Sequence, residues 1–376
     1  MIKNLKIVKI GGSVLRDGKS YLSIASKVRE ITESGNKIVI VVSAMKGVTD
    51  NLLEALRGSR EALGKVIDKY VDAATYIGGK KLLGRVSYEL AKLKTLLTIT
   101  STKDPALTDL ELSFGERLSK ILLTEALVQE GVKSVGIDAT EVIKTDNNHG
   151  NASIRYYETL VRVRNYLIPL LREGTTPVIE GFIGSTLSGE VTTLGRGGSD
   201  YTATTIASLL KASKVYLITN VPGILSADPK LVNPVRIVPK MSYREALEAS
   251  IYGCKNLHPK TFYPLMNVYG IDVHIGTWDK NTLIQEVVSD EYLGPKLIAS
   301  RIKGYYGYVA LIGDRVNNHE VIGKVIDLLK GEGLKYEGIY VPINRPSIII
   351  IFNRTLFANA LNSLHELIIE GELYEV

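Results

Sequence analysis

Short β-branched runs alternating with stretches of helical spacing constrain this chain more than any other feature. Residues 6–10 and 37–42 are brief, rich in Ile and Val, and bounded by turn residues. That is the pattern of strands buried on both faces. Between them Leu22, Ala25, Val28 and Ile31 recur at helical spacing, so 21–34 is predicted as the helix of a strand–helix–strand unit. Two longer amphipathic stretches follow, one through Leu63, Val66, Tyr70 and Ile77, the other through Leu82, Val86, Leu90 and Leu97. Gly78-Gly79 parts them, which predicts a helical hairpin inserted into the sheet. A capping box from Thr108 to Glu111 predicts a helix from 108 to about 131, and a second, Ser242 to Glu245, predicts one over 243–252. Further strands are expected at 134–137, 177–179, 215–218 and 272–275, with helices over 154–173 and 200–212. The alternation runs to about residue 280 and describes an α/β fold whose mainly parallel sheet is flanked by helices.

After Gly294 the rhythm changes. Strand 308–312, helix 319–330, strands 334–341 and 347–352, helix 356–370 and strand 372–376 read as βαββαβ, the ferredoxin-like α+β order. A chain of 376 residues admits two to three domains. The pattern divides it into an α/β domain over 1–295 and a small domain over 300–376.

Composition removes several classes. With 45% hydrophobic and 23% charged residues the chain is an ordinary globular one, and its 34 glycines show no three-residue period. Its one cysteine, Cys254, excludes an internal disulfide and a thiolate metal cluster. Lysines interrupt the apolar residues of 1–10, so no signal-peptide core is present there. The apolar run 348–352 is far shorter than the ~20 residues a bilayer span needs. A cytoplasmic protein without membrane contact is expected. The 46 Lys and Arg exceed the 40 Asp and Glu, and because 300–376 carries eight basic against nine acidic residues, the excess lies in the first 299. No block of five or six basic residues occurs. A small polyanion suits that excess better than a nucleic-acid duplex, so no nucleic-acid partner is expected.

Two stretches carry chemistry. The run Val8-Lys9-Ile10-Gly11-Gly12-Ser13 ends the first strand. Its paired glycines admit an anion to the backbone amides, with Lys9 supplying positive charge. A P-loop starting at Gly12 fails by one residue, because the motif needs glycine where Ser13 stands. The second stretch, 181–200, mixes glycines, hydroxyls and Arg196, and leads through Gly197, Gly198 and Ser199 into a helix at Asp200. Bare amides at a helix start with an arginine beside them form an anion site, while Asp200 could serve simply as a cap. Ordering so glycine-rich a loop is entropically costly, which favours a functional role. Gly115 and Glu116 fall within an amphipathic helix, where glycine costs about 1 kcal/mol relative to alanine unless something packs close. The five histidines show no ligand spacing, and His258 before Pro259 reads as a helix entry.

Together these stretches resemble the aspartate kinases of the amino acid kinase family. The resemblance rests on Lys9-Ile-Gly-Gly-Ser13, on 41–50 (Val-Val-Ser-Ala-Met-Lys-Gly-Val-Thr-Asp), on 113–119, on the loop ending Leu194-Gly-Arg-Gly-Gly-Ser-Asp200, on 221–229, and on Gly253-Cys-Lys-Asn-Leu-His-Pro259. It implies transfer of the ATP γ-phosphoryl group to the side-chain carboxylate of L-aspartate, with Mg²⁺, in amino-acid biosynthesis leading to lysine, threonine and methionine. By the resemblance, Lys9 and Asp200 are catalytic. Thr49, Glu116, Phe182, Arg196, Gly197, Gly198 and Ser199 would hold aspartate. Lys9, Gly11, Gly12, Ser13, Thr219, Asn220, Leu225, Lys230, Lys255 and Asn256 would surround the nucleotide. Residues 300–376 look like an ACT unit, the amino-acid-sensing module of these kinases, and a homodimer or higher homo-oligomer with a possible amino-acid effector is implied.

Three departures stand out. Ser13 replaces the usual threonine, Asn220 and Leu225 replace an aspartate and a tyrosine, and one ACT-like unit is legible where the family usually carries two. Two alternatives are retained: another acid kinase of the superfamily, such as one acting on acetylglutamate, and a catalytically inactive amino-acid-binding regulator.

Overall fold

The computed structural model describes residues 2–99, 104–287 and 294–369. The chain forms two compact units, Met1–Asn220 and Val221–Val376. The first contains β1 (Leu5–Ile10), α1 (Gly18–Glu33), β2 (Lys37–Val42), α2 (Val48–Leu56), α3 (Arg60–Ile99), α4 (Pro105–Leu112), α5 (Phe114–Gln129), β3 (Ser134–Ile137), α6 (Ala139–Val142), α7 (Tyr156–Arg172), β4 (Thr176–Glu180), β5 (Ile183–Ser185), β6 (Val191–Thr193), α8 (Gly198–Leu210) and β7 (Lys214–Ile218). Its parallel strands run β3-β4-β2-β1-β7, with Lys9 opposite Val41 on one side and Leu217 on the other. Ile7, Val8, Ile10 and 38–42 are buried, as unbroken apolar strands between helical layers require.

Local chemistry sets the helix ends. Asp17 accepts from Ser20 N at 2.9 Å while Ser20 Oγ accepts from Asp17 N at 3.1 Å, a capping box that starts α1 ahead of the expected residue 21. The long helix α3 is broken where the glycine pair falls: Gly78 and Gly79 leave helical geometry, Gly79 with φ of +62°. The helix expected from Thr108 instead begins at Pro105, capped by Asp104, and the chain is interrupted at Ser113 before α5. Thr108 Oγ1 donates back to the Asp104 carbonyl, so it is an interior residue and not a cap. Ser242 and Glu245 do form their reciprocal box. The stretch 181–194, read as a loop, contains the antiparallel pair β5–β6.

The second unit contains β8 (Lys240–Ser242), α9 (Tyr243–Ile251), α10 (Pro259–Phe262), β9 (Asp272–Gly276), β10 (Asn281–Gln285), β11 (Leu297–Lys303), β12 (Tyr306–Ile312), α11 (His319–Gly331), β13 (Gly338–Tyr340), β14 (Ser347–Asn353) and α12 (Phe357–Ile369). Strand β10 pairs antiparallel with β9 and parallel with β8. The last four strands form an antiparallel sheet ordered β11-β12-β14-β13, with α11 and α12 contributing Val321, Val325, Leu361 and Leu364 to its core. This differs from the expected order in one respect. The edge beside β12 is filled by β11, which comes before the two helices in sequence. The strand expected at 372–376 lies outside the described residues. Gly304, with φ of +62°, makes the turn that folds β11 onto β12. Among the described residues no helix is long and apolar enough to cross a membrane.

Candidate active site

The central strand β1 delivers Lys9 to the carboxyl edge of the first unit's sheet. Lys9 Nζ lies 2.6 Å from Asp200 Oδ1, and both side chains are largely buried. Asp200 stands in the first turn of α8, whose cap is Gly197 in the left-handed region (φ +71°). Its carboxylate is therefore engaged by a lysine, and the capping role is not the one it takes.

The glycines after Lys9 are required by close approach. A Cβ on Gly11 would lie 2.8 Å from the Ile218 carbonyl oxygen, and one on Gly12 would lie 2.5 Å from the Ala44 carbonyl oxygen. Ser13 Oγ sits 3.2 Å from Thr219 Oγ1 and accepts from Asn220 N at 3.3 Å. Ser13, the departure from the family pattern, thus ties the glycine turn to the end of β7.

Glu116 lies in the first turn of α5 and is 3% exposed. Its Oε1 accepts from Ala44 N at 3.2 Å, while Oε2 has no hydrogen-bond partner among the described residues. Burial, with the charge of Glu180 adding to it, pushes the carboxyl up to about 8 against the opposing Ala44 amide. Tyr70 OH donates to the Gly115 carbonyl at 2.7 Å and lies 3.1 Å from Ser119 Oγ, which also accepts from Tyr21 OH. This network fixes the start of α5. A Cβ on Gly115 would meet Ala44 Cβ at 2.8 Å, which explains a glycine inside the helix. Gly115→Ala is expected to destabilise the protein by about 1–3 kcal/mol through overpacking, read as a fall of several degrees in melting temperature. An unchanged melting temperature would show that the contact yields freely.

The glycine-rich stretch is built against the same edge. Phe182 holds φ of +68°, uncommon for a bulky residue, and a Cβ on Gly198 would lie 3.0 Å from its ring. A Cβ on Gly181 would lie 2.6 Å from Ser199 Cβ. Buried Asp109 on α4 accepts from Gly150 N and Thr193 N at 2.9 Å and from Thr193 Oγ1, with His149 Nδ1 at 3.0 Å. Arg196 is exposed between β6 and α8, and Thr49 is half-buried at the start of α2. Among the described residues no hydrogen bond or ion pair joins Thr49, Glu116 and Arg196 to one another.

In the second unit, Leu225, Lys230, Lys255 and Asn256 line one cavity of about 180 Å³ together with Asp228 and Cys254. Lys255 Nζ pairs with Asp228 Oδ2 at 2.5 Å, and Asp228 Oδ1 accepts from Lys230 N at 3.1 Å. His258 caps α10 by accepting from Lys260 N, the helix-entry role expected of it.

Sequence reasoning missed Asp109, Tyr70, Lys120 and Glu180. Lys120 Nζ lies 2.6 Å from Glu180 Oε1 and also pairs with Asp138, while Glu180 Oε2 accepts from Ala139 N at 2.6 Å. Burial lowers the Lys120 ammonium, but the two carboxylates outweigh it and its pKa is raised. Only the Asx-Pro sequence Asp104-Pro105 offered a signal, for the start of α4.

No cluster of three or more His, Cys, Asp or Glu able to hold a metal occurs among the described residues. A Mg²⁺ shared with nucleotide phosphates needs only one or two carboxylates, and Asp200 meets that requirement.

Residues 4–277 match the amino acid kinase family. The chain is 33% identical over 287 residues to lysine-sensitive aspartokinase 3 of Escherichia coli, covering 73% of this chain and 62% of that one. It is 32% identical over 289 residues to an aspartokinase of Geobacillus stearothermophilus, covering 76% and 60%. The chain thus spans about three-fifths of the length of these curated relatives. Among solved structures it is similar to E. coli aspartokinase III in complex with aspartate and ADP, with a TM-score of 0.74, 25% identity, and 94% of this chain and 80% of that one covered. An aspartate kinase of Clostridium acetobutylicum shares the fold, with a TM-score of 0.75 at 19% identity over 98% of this chain and all of that one. With its family's sequence pattern extending through most of its length, and Lys9, the paired glycines and Asp200 gathered at one sheet edge, the chain belongs to the amino acid kinase family.

Proposed function

We propose that the protein is an aspartate kinase, transferring the γ-phosphoryl group of ATP to the side-chain carboxylate of L-aspartate to give 4-phospho-L-aspartate and ADP. The observation that carries this reading is Glu116, a buried carboxylate with one oxygen lacking a donor. An α-ammonium group is the partner such an atom lacks, and forming that pair favours the ionised carboxylate. An N-acetylated acid has no ammonium to offer, which disfavours the acetylglutamate alternative. The Lys9–Asp200 pair disfavours an inactive regulator.

The chemistry needs no general base, because the attacking carboxylate is already ionised at neutral pH. One of its oxygens forms a bond to the γ-phosphorus as the bond to the β,γ-bridging oxygen breaks. Two anions must be brought together, so the work is positioning and charge stabilisation. Lys9 and the amides of Gly11 and Gly12 face the transferring phosphates, with Ser13, Thr219 and Asn220 beside them. Asp200 orients Lys9 and would hold Mg²⁺, which when bound neutralises phosphate charge. Arg196 grips the α-carboxylate bidentately, with Thr49, Phe182, Gly197, Gly198 and Ser199 completing the aspartate pocket. In the second unit Leu225, Lys230, Lys255 and Asn256 are the proposed nucleotide contacts.

The proposal extends to organisation: residues 1–295 catalytic, 300–376 an ACT-like regulatory and dimerising domain, in a cytoplasmic homodimer. A relative is named lysine-sensitive, so an amino-acid effector is part of the reading. Initial rates with and without lysine, threonine and methionine test it, and light scattering tests the dimer.

A hydroxamate assay for acyl phosphate across aspartate, glutamate and acetylglutamate decides the substrate. Product from another acid but none from aspartate overturns the assignment. Arg196→Gln is expected to raise the aspartate KM by about 10–100-fold, the loss of one charge-assisted bidentate contact. Its melting temperature should hardly move, since Arg196 is exposed. A KM within twofold of wild type would remove Arg196 from the pocket.

A further inference from the structure

Two cavities in the first unit meet at Arg117 and Lys92. The first, about 510 Å³, lies against edge strand β3; among the described residues it is lined by four cations, Arg85, Lys92, Arg117 and Lys120, and by the carboxylates of Glu89 and Asp138 alone. The second, about 490 Å³, is a shallow depression open to solvent and mainly apolar, lined by Tyr88, Leu96, Leu110 and Phe114. Arg85 pairs with Glu125 at 3.5 Å, Lys92 with Glu89 at 2.8 Å, and Lys120 with Glu180 and Asp138. Arg117 forms no ion pair among the described residues. Its guanidinium lies 5.4 Å from the Phe114 ring centroid, and Lys92 Nζ lies 4.3 Å from that of Tyr88. The two shared cations are thus each set over an aromatic ring where the charged cavity joins the apolar one. Gly136 leaves room for the Lys120 stem, since a Cβ there would lie 3.3 Å from Lys120 Cδ.

We propose that this composite cleft is a second small-molecule site, separate from Lys9, Asp200 and Glu116, which takes an organic anion joining an apolar or aromatic group to a phosphate or carboxylate. We also infer that occupancy weakens aspartate binding through Lys120. The anion seats on Arg117 and Lys92 with its ring against Tyr88, Leu96 and Leu110, and competes with Asp138 and Glu180 for the Lys120 ammonium. Glu180 closes β4, immediately before Gly181 and Phe182. Drawing Lys120 away loosens the buried pair that anchors Glu180, and with it the adjoining Gly181–Phe182 backbone of the proposed aspartate pocket. The transmitted effect rests on the aspartate kinase reading; the binding itself does not.

Calorimetric titration of the full chain, with ADP and Mg²⁺ saturating, tests the site directly. Phenyl phosphate and phenylacetate are the ring-bearing probes, and inorganic phosphate is the bare ion. At least one ring-bearing anion is expected to bind about tenfold or more tighter than inorganic phosphate, and the better of the two identifies the head group. Arg117→Gln should weaken that binding about tenfold or more, the effect of losing one charge-assisted contact, and Lys92→Gln should weaken it as well. Binding no tighter than that of inorganic phosphate, or unchanged in both variants, overturns the site. In steady-state assays the bound anion should raise the aspartate KM at least about twofold in wild type but not in Arg117→Gln. Binding without a change in that KM overturns the transmission through Lys120. Because calorimetry needs no turnover, failure of the aspartate reading alone leaves the binding result standing.

Discussion

Lys9→Ala is expected to lower kcat by about 10³-fold, the scale of removing a preorganised electrostatic group from a phosphoryl-transfer site. Lys9 is 8% exposed on the central strand, so its ammonium acts in a poorly solvated setting where charge counts for more than in water. In the proposed transfer the attacking group and the phosphates are all anionic, and Lys9 Nζ lies 3.2 Å from where a Cβ on Gly11 would stand, against the glycine turn. Lys9→Arg should not restore the rate. A Cβ on Gly11 would lie only 3.2 Å from Lys9 Nζ, so the turn leaves little room for a larger, planar guanidinium. Asp200 loses its partner in both variants but keeps some access to solvent, so folding should survive, as circular dichroism would show. Single-turnover measurement of acyl phosphate formation is the decisive assay. Retention of more than a tenth of the wild-type rate in Lys9→Ala would sink the catalytic role.

Glu116→Gln should have the second largest effect, raising the aspartate KM by about 100-fold through loss of a desolvated charge pair. The pH dependence distinguishes this from a general loss of fit. With the free carboxyl at about 8, Glu116 is mostly protonated at neutral pH, while only the ionised form pairs with an ammonium. For wild type, kcat/KM for aspartate should therefore rise about tenfold per pH unit below 8 and level off above it. In Glu116→Gln this slope should vanish.

Stability supplies an independent check. The folded pKa lies above the ordinary value of 4.5, so the folded state holds its proton more tightly than the unfolded chain. Wild type should accordingly lose stability as pH rises from 4.5 through 8, whereas glutamine does not titrate. The melting temperature of Glu116→Gln relative to wild type should climb between pH 5 and pH 9. Equal differences at both pH values would refute the raised pKa.

Much of this architecture was legible in sequence where local chemistry dictates it. The runs at 6–10 and 37–42 became the central strands because a buried parallel strand has no polar face to disguise it. Gly78-Gly79 broke the long helix where the pattern changed faces. Thr108–Glu111 misled because a capping sequence also fits a helix interior, and the true cap lay four residues upstream at Asp104. Strand β11 escaped notice since its second half, Arg301–Lys303, is exposed and follows no alternation. The approach of Gly11 to Lys9, and of Lys9 to Asp200, was foreshadowed by residue types. The Lys120–Glu180 pair was not, because sixty residues separate its members and neither carries a local signal.

Asp109 has a consequence beyond its four contacts. It fastens the 149–150 turn and strand β6 to helix α4, so the stretch leading to Arg196 is anchored at that junction. The segment is thus tied in part to a helix some ninety residues upstream. A change at Asp109 would release that tie and leave β6 held by its pairing with β5 and by the Thr145–Thr192 contact, without altering any side chain assigned to a ligand.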